Sequence, residues 1–182
     1  MPYDPDTHHR RSIRLPMYDY SRPGAYFVTI CTYHRELLFE DGALKQILEE
    51  TWKALPERFP DISPDEFIIM PNHIHFIVWL NAVEAPLAGA HDAGIGVGAG
   101  ASPAPTLASI VGAYKSIVSN QWLKWITANT PDRSALVWQR NYYERVVRDE
   151  DELARARQYI MDNPAKWAED ENNPAKWKVE WT

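Results

Sequence analysis

The sequence predicts an α+β fold: a ferredoxin-like (split βαβ) antiparallel sheet with two helices on one face and an additional C-terminal helix. Three observations predict it. Four segments are rich in β-branched and aromatic residues, and two long segments carry apolar residues at helical spacing. Their order along the chain is strand, helix, strand, strand, helix, strand. A third helical segment follows the last strand, and we expect it to cover the other face of the sheet.

The first half of the chain predicts three strands and one helix. They cover residues 25–33 (strand), 41–55 (helix), 65–70 (strand) and 73–80 (strand). Pro56 is expected to end the helix. Pro71 and Asn72 form a tight connection, so the second and third strands should pair as a hairpin.

The second half predicts the remaining elements. They are a helix over 106–126, a strand over 142–148 and a helix over 149–163. Asp149 is a suitable N-cap for the last helix, and Pro164 restrains its end. Residues 82–105 are dominated by Ala, Gly and Pro, which predicts a flexible loop.

The composition fits one domain spanning residues 1–182. Hydrophobic residues make up 45% of the chain and charged residues 24%, which is enough apolar material for a core. Cys31 is the single cysteine, so no intrachain disulfide can form. We recognise neither a signal peptide nor an apolar run of membrane-spanning length, and therefore expect a cytoplasmic protein without a membrane partner.

The distribution of charge leaves room for a local anion-binding surface. A formal net charge of −6 argues against a protein that coats nucleic acid through bulk electrostatics. Arg10, Arg11 and Arg14 nevertheless concentrate positive charge near the start of the chain. These arginines are candidate contacts to phosphate groups.

Two histidines stand in the apolar stretch "PNHIHFIVWL", residues 71–80. Side chains alternate between the faces of a strand, so His73 and His75 point to the same side as Ile77 and Trp79. The opposite side of this strand is entirely apolar and should meet the two long helices. Neutral imidazole is a common ligand of divalent metals, and a strand fixes the spacing of two rings. The motif is short, however, and a pair of buried or half-exposed histidines without metal is about equally compatible with it.

The last helix adds chemistry to the same side. Leu153, Ala156 and Ile160 form an apolar stripe, and Tyr159 and Asn163 lie four residues apart on the adjoining face. If the stripe packs on the sheet, a phenol and an amide approach the imidazoles. A tyrosine beside a Lewis-acid metal is suited to nucleophilic attack on a phosphodiester.

These motifs carry a resemblance that covers nearly the whole chain. "PNHIHFIVWL" together with "RNYYERVVRDEDELARARQYIMDNPAKW" resembles the HUH single-tyrosine transposases, and most of all the REP-associated tyrosine transposases. The segment "RRSIRLPMYDYSRPGAYFVTICTY" resembles the N-terminal part of the same branch. The resemblance implies that His73 and His75 bind Mg²⁺ or Mn²⁺ and that Tyr159 is the nucleophile.

The third metal ligand is less well defined by the resemblance. Many single-tyrosine relatives have a glutamine four residues after the tyrosine, and this chain has Asn163, which is one methylene shorter. Asp162, Glu144 and His34 are alternative ligands.

The resemblance also implies an activity. It is metal-dependent cleavage and rejoining of single-stranded DNA through a 5′-phosphotyrosine. The implied substrate is hairpin-forming repetitive palindromic DNA. Some relatives are homodimers, so a homodimer is possible for this chain as well. Lys115, Arg140, Arg145 and Arg148 are candidate phosphate contacts in addition to the N-terminal arginines.

Three alternatives stay open at this point. Tyr142 and Tyr143 compete with Tyr159 as nucleophile, although alternation sends them to opposite faces of their strand. A catalytically inactive module that binds DNA hairpins or regulates would keep the fold without needing both histidines and the tyrosine. A zinc hydrolase would need further ligands close to His75, where the sequence continues with apolar residues.

Overall fold

The structure, a computed structural model, describes residues 19–82 and 105–178. These residues form four strands and three α-helices. They are β1 (Gly24–Cys31), α1 (Gly42–Arg58), β2 (Ile62–Met70), β3 (His73–Leu80), α2 (Leu107–Asn129), β4 (Tyr143–Val147) and α3 (Glu150–Asp162). Arg10, Arg11 and Arg14 and nearly all of the predicted loop over 82–105 lie outside the described residues.

The strands form one antiparallel sheet in the order β2-β3-β1-β4. With α1 between β1 and β2 and α2 between β3 and β4, this is the predicted ferredoxin-like topology, and the fold prediction is confirmed. The hairpin of β2 and β3 is also confirmed, with its register shifting between Pro64 and Phe67. β1 lies between β3 and β4, and Thr29 is paired with His75 on one side and Tyr143 on the other.

One face of the sheet packs against α1 and α2. The face of β3 predicted to be apolar is buried here through Ile74, Phe76, Val78 and Leu80. Both helices contribute apolar side chains; those with no exposed surface are Leu44, Leu48, Ile110 and Val118. The phenol of Tyr114 on α2 donates to the carbonyl of Leu48 on α1 at 3.0 Å, which ties the two helices together.

The other face packs against α3, as the sequence predicts. Leu153 and Ile160 are buried with Ala25 and Ile77 in a second, smaller cluster. Asp149 is the N-cap, since its carboxylate accepts from the backbone N–H of Glu152 at 2.7 Å. α3 ends at Asp162, and the chain continues as a 3₁₀ segment over Asn163–Glu169.

The prediction that Pro56 ends the first helix was wrong. α1 runs on to Arg58 with Pro56 inside its last turn. The proline ring fixes φ near the helical value, and so close to the end it removes only the hydrogen bond to the carbonyl of Trp52. The helix therefore continues for one short stretch before it ends.

Among the residues described, α2 is the longest helix, and neither it nor the other helices are long and apolar enough to cross a membrane.

Candidate active site

His73 and His75 form the centre of the site, on the face of β3 that α3 covers. Their Nε2 atoms lie 2.9 Å apart, and the rings meet edge to face with centroids 4.5 Å apart. Both residues are buried. The strand therefore directs two imidazole nitrogens at one point.

The hydrogen-bond partners of the two Nδ1 atoms set the orientation of the imidazole rings and, for His73, the position of its proton. The amide nitrogen of Asn72 donates to the carbonyls of Arg35 and Asn172, at 3.0 and 2.7 Å, so its Oδ1 must be an acceptor. That Oδ1 lies 2.9 Å from His73 Nδ1, which therefore carries the proton and leaves Nε2 of the neutral ring with a lone pair. His75 Nδ1 lies 2.8 Å from the hydroxyl of Thr29.

Both rings are neutral at ordinary pH. Burial, together with the positive charge of Arg35, lowers the pKa of His73 to about 3. Burial also lowers the pKa of His75 to about 3, with His73 contributing. Neutral imidazole is the form that binds metal, so the pair fits a divalent ion.

A carboxylate completes the group. Asp170 directs Oδ2 toward His73 Nε2 at 3.7 Å, and the ligand atoms of His73, His75 and Asp170 all lie within 4.8 Å of one another. The sequence analysis missed this residue. Asp170 stands in an acidic run after the last helix, and a run of that kind is typical of solvated surface.

Tyr159 stands beside this group at the edge of α3. Its ring centroid lies 5.3 Å from that of His75 and 5.8 Å from that of Phe27, and the residue keeps 49% of its surface exposed. Partial burial raises the pKa of the Tyr159 phenol, and a hydrogen bond from the side chain of Asn163 lowers it in part. The phenol thus adjoins the histidines and is still open to solvent.

A cleft of about 620 Å³ leads to His75 from the β4 side. Its walls include His75, Tyr159, Arg35, Arg145 and Tyr143. Arg35 and Arg145 offer cationic side chains, and Tyr143 and Tyr159 offer aromatic side chains, to a ligand that enters the cleft.

The tandem tyrosines occupy different environments. Tyr143 is 41% exposed, and Tyr142 is half buried and packs against the large core. Both border the cleft, but the ring contact to His75 is made by Tyr159.

The predicted phosphate contacts differ in how far they are available. Arg145 and Arg148 are exposed, and both engage Glu152: Arg145 through its guanidinium at 2.8 Å and Arg148 through its backbone N–H at 2.9 Å. Arg140 is exposed. The ammonium of Lys115 donates to the carbonyls of Gln139 and Arg140, so it supports the backbone that leads into β4.

The candidate third ligands are also separated by the structure. Asn163 is buried and contacts Tyr159. The carboxylate of Asp162 accepts from Gln158 and Lys166 on the exposed side of α3. His34 is exposed and Glu144 is buried on β4. Within the described residues, the group of ligating side chains that includes both histidines is completed by Asp170.

Comparison with known proteins places the chain in a family. No family model matches the chain. An uncharacterized protein of Haemophilus influenzae is 35% identical over 191 residues, which cover 93% of this chain and 96% of that protein. The chain belongs to the same family as this Haemophilus protein.

The fold has a solved counterpart. A REP-associated tyrosine transposase, solved bound to a REP hairpin, superposes with a TM-score of 0.53 at 16% identity, over 85% of this chain and 74% of that one. The protein therefore shares the fold of this REP-associated tyrosine transposase, as the sequence motifs predict.

Proposed function

We propose that this protein is a metal-dependent enzyme that cleaves and rejoins single-stranded DNA through a 5′-phosphotyrosine on Tyr159. The observation that carries the proposal is the position of the exposed Tyr159 phenol against His75, whose Nε2 converges with that of His73. A nucleophile and a metal-binding pair at one open cleft are what transfer of a phosphodiester to the protein requires.

Each side chain has a definite task in this proposal. His73 and His75 would hold Mg²⁺ or Mn²⁺. The family resemblance implies Asn163 as a further ligand, but the carboxylate that lies beside the pair is that of Asp170. When bound, the ion polarises a phosphoryl oxygen of the DNA. Asn72 and Thr29 hold the Nδ1 side of each ring, so that both Nε2 atoms stay directed at the ion.

Tyr159 performs the covalent step. Its Oη forms a bond to phosphorus while the bond from phosphorus to the 3′ oxygen breaks. The phenol loses its proton, and the leaving 3′ oxygen gains one. The products are a 5′-phosphotyrosine and a free 3′ hydroxyl, and the reverse attack of a 3′ hydroxyl rejoins a strand.

The proposed substrate is a DNA hairpin with a single-stranded flank. Support comes from the fold shared with a transposase that was solved on a REP hairpin. Arg145 in the cleft wall and the exposed Arg140 and Arg148 would contact phosphates, and so would Lys115 beside the segment that leads into β4. The N-terminal Arg10, Arg11 and Arg14, which lie outside the described residues, are further candidates. Tyr143, exposed in the cleft, can stack on an unpaired base.

The test is formation of a covalent protein–DNA adduct. A labelled hairpin with a single-stranded flank and Mn²⁺ should give an adduct with the natural protein, and Tyr159→Phe should abolish it because the ring stays but the attacking oxygen is gone. Tyr143→Phe, a change of the same kind in the same cleft, should keep the adduct. His73→Ala combined with His75→Ala should also abolish it.

Two outcomes would reject the proposal. An adduct that survives Tyr159→Phe, or maps to Tyr142 or Tyr143, would remove the assigned nucleophile. Hairpin binding with no adduct from the natural protein in Mg²⁺ or Mn²⁺ would favour an inactive hairpin-binding module.

Binding should also prefer a hairpin with single-stranded flanks over blunt duplex and weaken with added salt.

We propose a cytoplasmic location, because the proposed substrate is DNA, and a homodimer is compatible with the proposal. Because Tyr159 adjoins His75 of its own chain, one protomer contains both halves of the site. Mixing Tyr159→Phe with the double histidine variant tests this: restored adduct formation would show that the tyrosine acts on a partner's histidines.

A further inference from the structure

We propose that Asp170, and not Asn163, supplies the third protein ligand of the metal, while Asn163 orients the Tyr159 phenol. The inference deepens the proposed function and rests on it for the identity of the metal. It concerns a residue that lies beyond the catalytic helix, at the end of the 3₁₀ segment Asn163–Glu169.

The first support is the position of the carboxylate. The Asp170 side chain keeps only 5% of its surface exposed, and its Oδ2 lies 3.7 Å from His73 Nε2. Neighbouring ligands of an octahedral ion with bonds near 2.1 Å are about 3.0 Å apart. The two Nε2 atoms, 2.9 Å apart, already have this spacing, and the distance of 3.7 Å from Asp170 Oδ2 to His73 Nε2 exceeds it by about 0.7 Å.

The second support is that the carboxylate is aimed by its surroundings. Asp170 Oδ1 accepts the backbone N–H of Asn172 at 2.6 Å, which leaves Oδ2 on the side of His73. The carbonyl of Asn172 accepts from Asn72 at 2.7 Å, and its side-chain oxygen accepts from Arg35. Asn72 therefore holds His73 by its Oδ1 and the Asp170 segment by its nitrogen.

Arg35 reaches Asn172 through an unusual backbone. His34 and Arg35 have positive φ angles of 50° and 58°, a region that side chains other than glycine rarely adopt. A conformation of this kind persists only where neighbouring contacts hold it, as the contact of Arg35 with Asn172 does here.

The third support is the chemistry of the donors. Mg²⁺ and Mn²⁺ are hard cations that prefer oxygen ligands, and an anionic carboxylate binds them more strongly than a neutral amide. Asn163 is buried and follows Tyr159 by four residues in helical backbone, so the two side chains share one face at the end of α3. An amide beside the nucleophile can fix the direction of the attacking oxygen, which is a positioning role.

The test measures Mn²⁺ binding to the full chain without DNA, from the electron paramagnetic resonance signal of free Mn²⁺. Asp170→Ala should weaken binding at least about tenfold, since loss of even an indirect partner of a metal site has an effect of that size. Asp170→Asn should weaken it too, while retaining an acceptor for the Asn172 N–H. Glu169→Ala, which removes an exposed carboxylate one residue away, should bind Mn²⁺ like the natural protein.

Asn163→Ala separates the two roles. It should bind Mn²⁺ normally and form the DNA adduct more slowly at saturating Mn²⁺. The inference is overturned if Asn163→Ala weakens Mn²⁺ binding and Asp170→Asn does not, or if both Asp170 variants bind like the natural protein. Circular dichroism and melting without metal identify a variant that fails to fold, and Asp170→Asn then carries the comparison.

Failure of this inference is distinguishable from failure of the proposed function. If the natural protein forms the adduct and Asp170→Asn binds Mn²⁺ unchanged, Asp170 is rejected as a metal ligand and the proposed enzymatic activity is kept. Mn²⁺ binding that depends on Asp170, with no adduct on any hairpin, would retain the ligand and remove the DNA-cleaving activity.

Discussion

The two faces of the sheet are built on different physical terms. Against α1 and α2 lies a large cluster of buried apolar residues, where Trp122, Tyr114 and Phe76 are almost fully buried. Against α3 the cluster of buried residues is small, and Ile160 and Leu153 are its helix side chains. Next to that cluster stand the buried polar groups Thr29 and the two histidines.

Polar contacts replace part of the missing apolar contact on the α3 face. The carboxylate of Asp65, at the register shift of β2, accepts hydrogen bonds from Nε and Nη2 of Arg157 at 2.9 and 2.6 Å. It also accepts the indole N–H of Trp79 at 2.9 Å. Arg145 similarly pairs with Glu152 at the start of α3. The α1/α2 face therefore contributes most of the apolar burial that stabilises the fold, whereas the α3 face holds a tyrosine at a set position with comparatively little apolar burial.

The largest expected effect comes from the α1/α2 face. Ile110→Ala removes a fully buried side chain of α2 and leaves a cavity in close-packed surroundings. We expect a loss of about 4 kcal/mol in the free energy of unfolding. Urea denaturation followed by circular dichroism measures it, and Ile110→Val, which leaves a smaller void, should cost about 1 kcal/mol.

The same substitution on α3 should cost less. Ile160 is as well buried as Ile110, but its cluster is small and lies next to the open cleft, where neighbouring atoms can relax. We expect Ile160→Ala to lose about 2 kcal/mol, at the lower end for this change. Hydrogen exchange should become faster in α3 and stay slow in β3. Equal acceleration in both elements would contradict the distinction between the two faces.

A smaller effect is expected beneath the histidines. Thr29→Val keeps the branched shape and removes the hydroxyl that meets His75 Nδ1. Loss of such a partner should weaken Mn²⁺ binding about tenfold, or about 1.4 kcal/mol, with little change in stability. Titration calorimetry compares it with Thr29→Ser, which retains the hydroxyl. Unchanged affinity in Thr29→Val would mean that the ring is held by packing alone.

The smallest effect concerns the pair of Asp65 and Arg157. The hydrogen bond from Arg157 lowers the pKa of Asp65. Both side chains are partly exposed, so solvent screening reduces the free energy that the pair contributes to stability. We expect Asp65→Asn to lose about 1 kcal/mol at pH 7.

The pH dependence of that loss follows from the direction of the shift. A carboxyl whose pKa is lowered by folding stabilises the protein above its unfolded pKa of about 3.9, and this contribution disappears as the pH falls through the folded pKa. The difference in urea midpoint between the natural protein and Asp65→Asn should therefore be present at pH 7 and pH 5 and shrink below about pH 4. A difference that is as large at pH 3 as at pH 7 would show that the ionised pair is not its source.

Much of the site follows from local periodicity. Alternation along β3 predicts that His73 and His75 share a face with Ile77, and the helical stripe of Leu153 and Ile160 predicts which side of α3 meets it. Both patterns depend on neighbours within a few residues. The sequence therefore determines the fold and the approach of Tyr159 to His75.

Other parts of the site were decided by the tertiary structure alone. Asn72 bonds to Asn172, 100 residues away, and Asp65 bonds to Arg157, 92 residues away. Lys115, a predicted phosphate contact, also donates to the carbonyls of Gln139 and Arg140 in a distant segment. A hydrogen bond between distant segments depends on how they dock, which no local pattern encodes.

Asp170 shows the same limit at the histidine pair. In the sequence it is one of several acidic residues near the end of the chain, and the 3₁₀ segment before it has no apolar repeat that would predict its direction. The position of its carboxylate beside His73 is set by the docking of the segment on Asn72 and by the N–H of Asn172. The sequence determined the strand that presents the histidines, because side-chain alternation is local; the tertiary structure decided which acid joins them, because that depends on contacts between segments far apart in the chain.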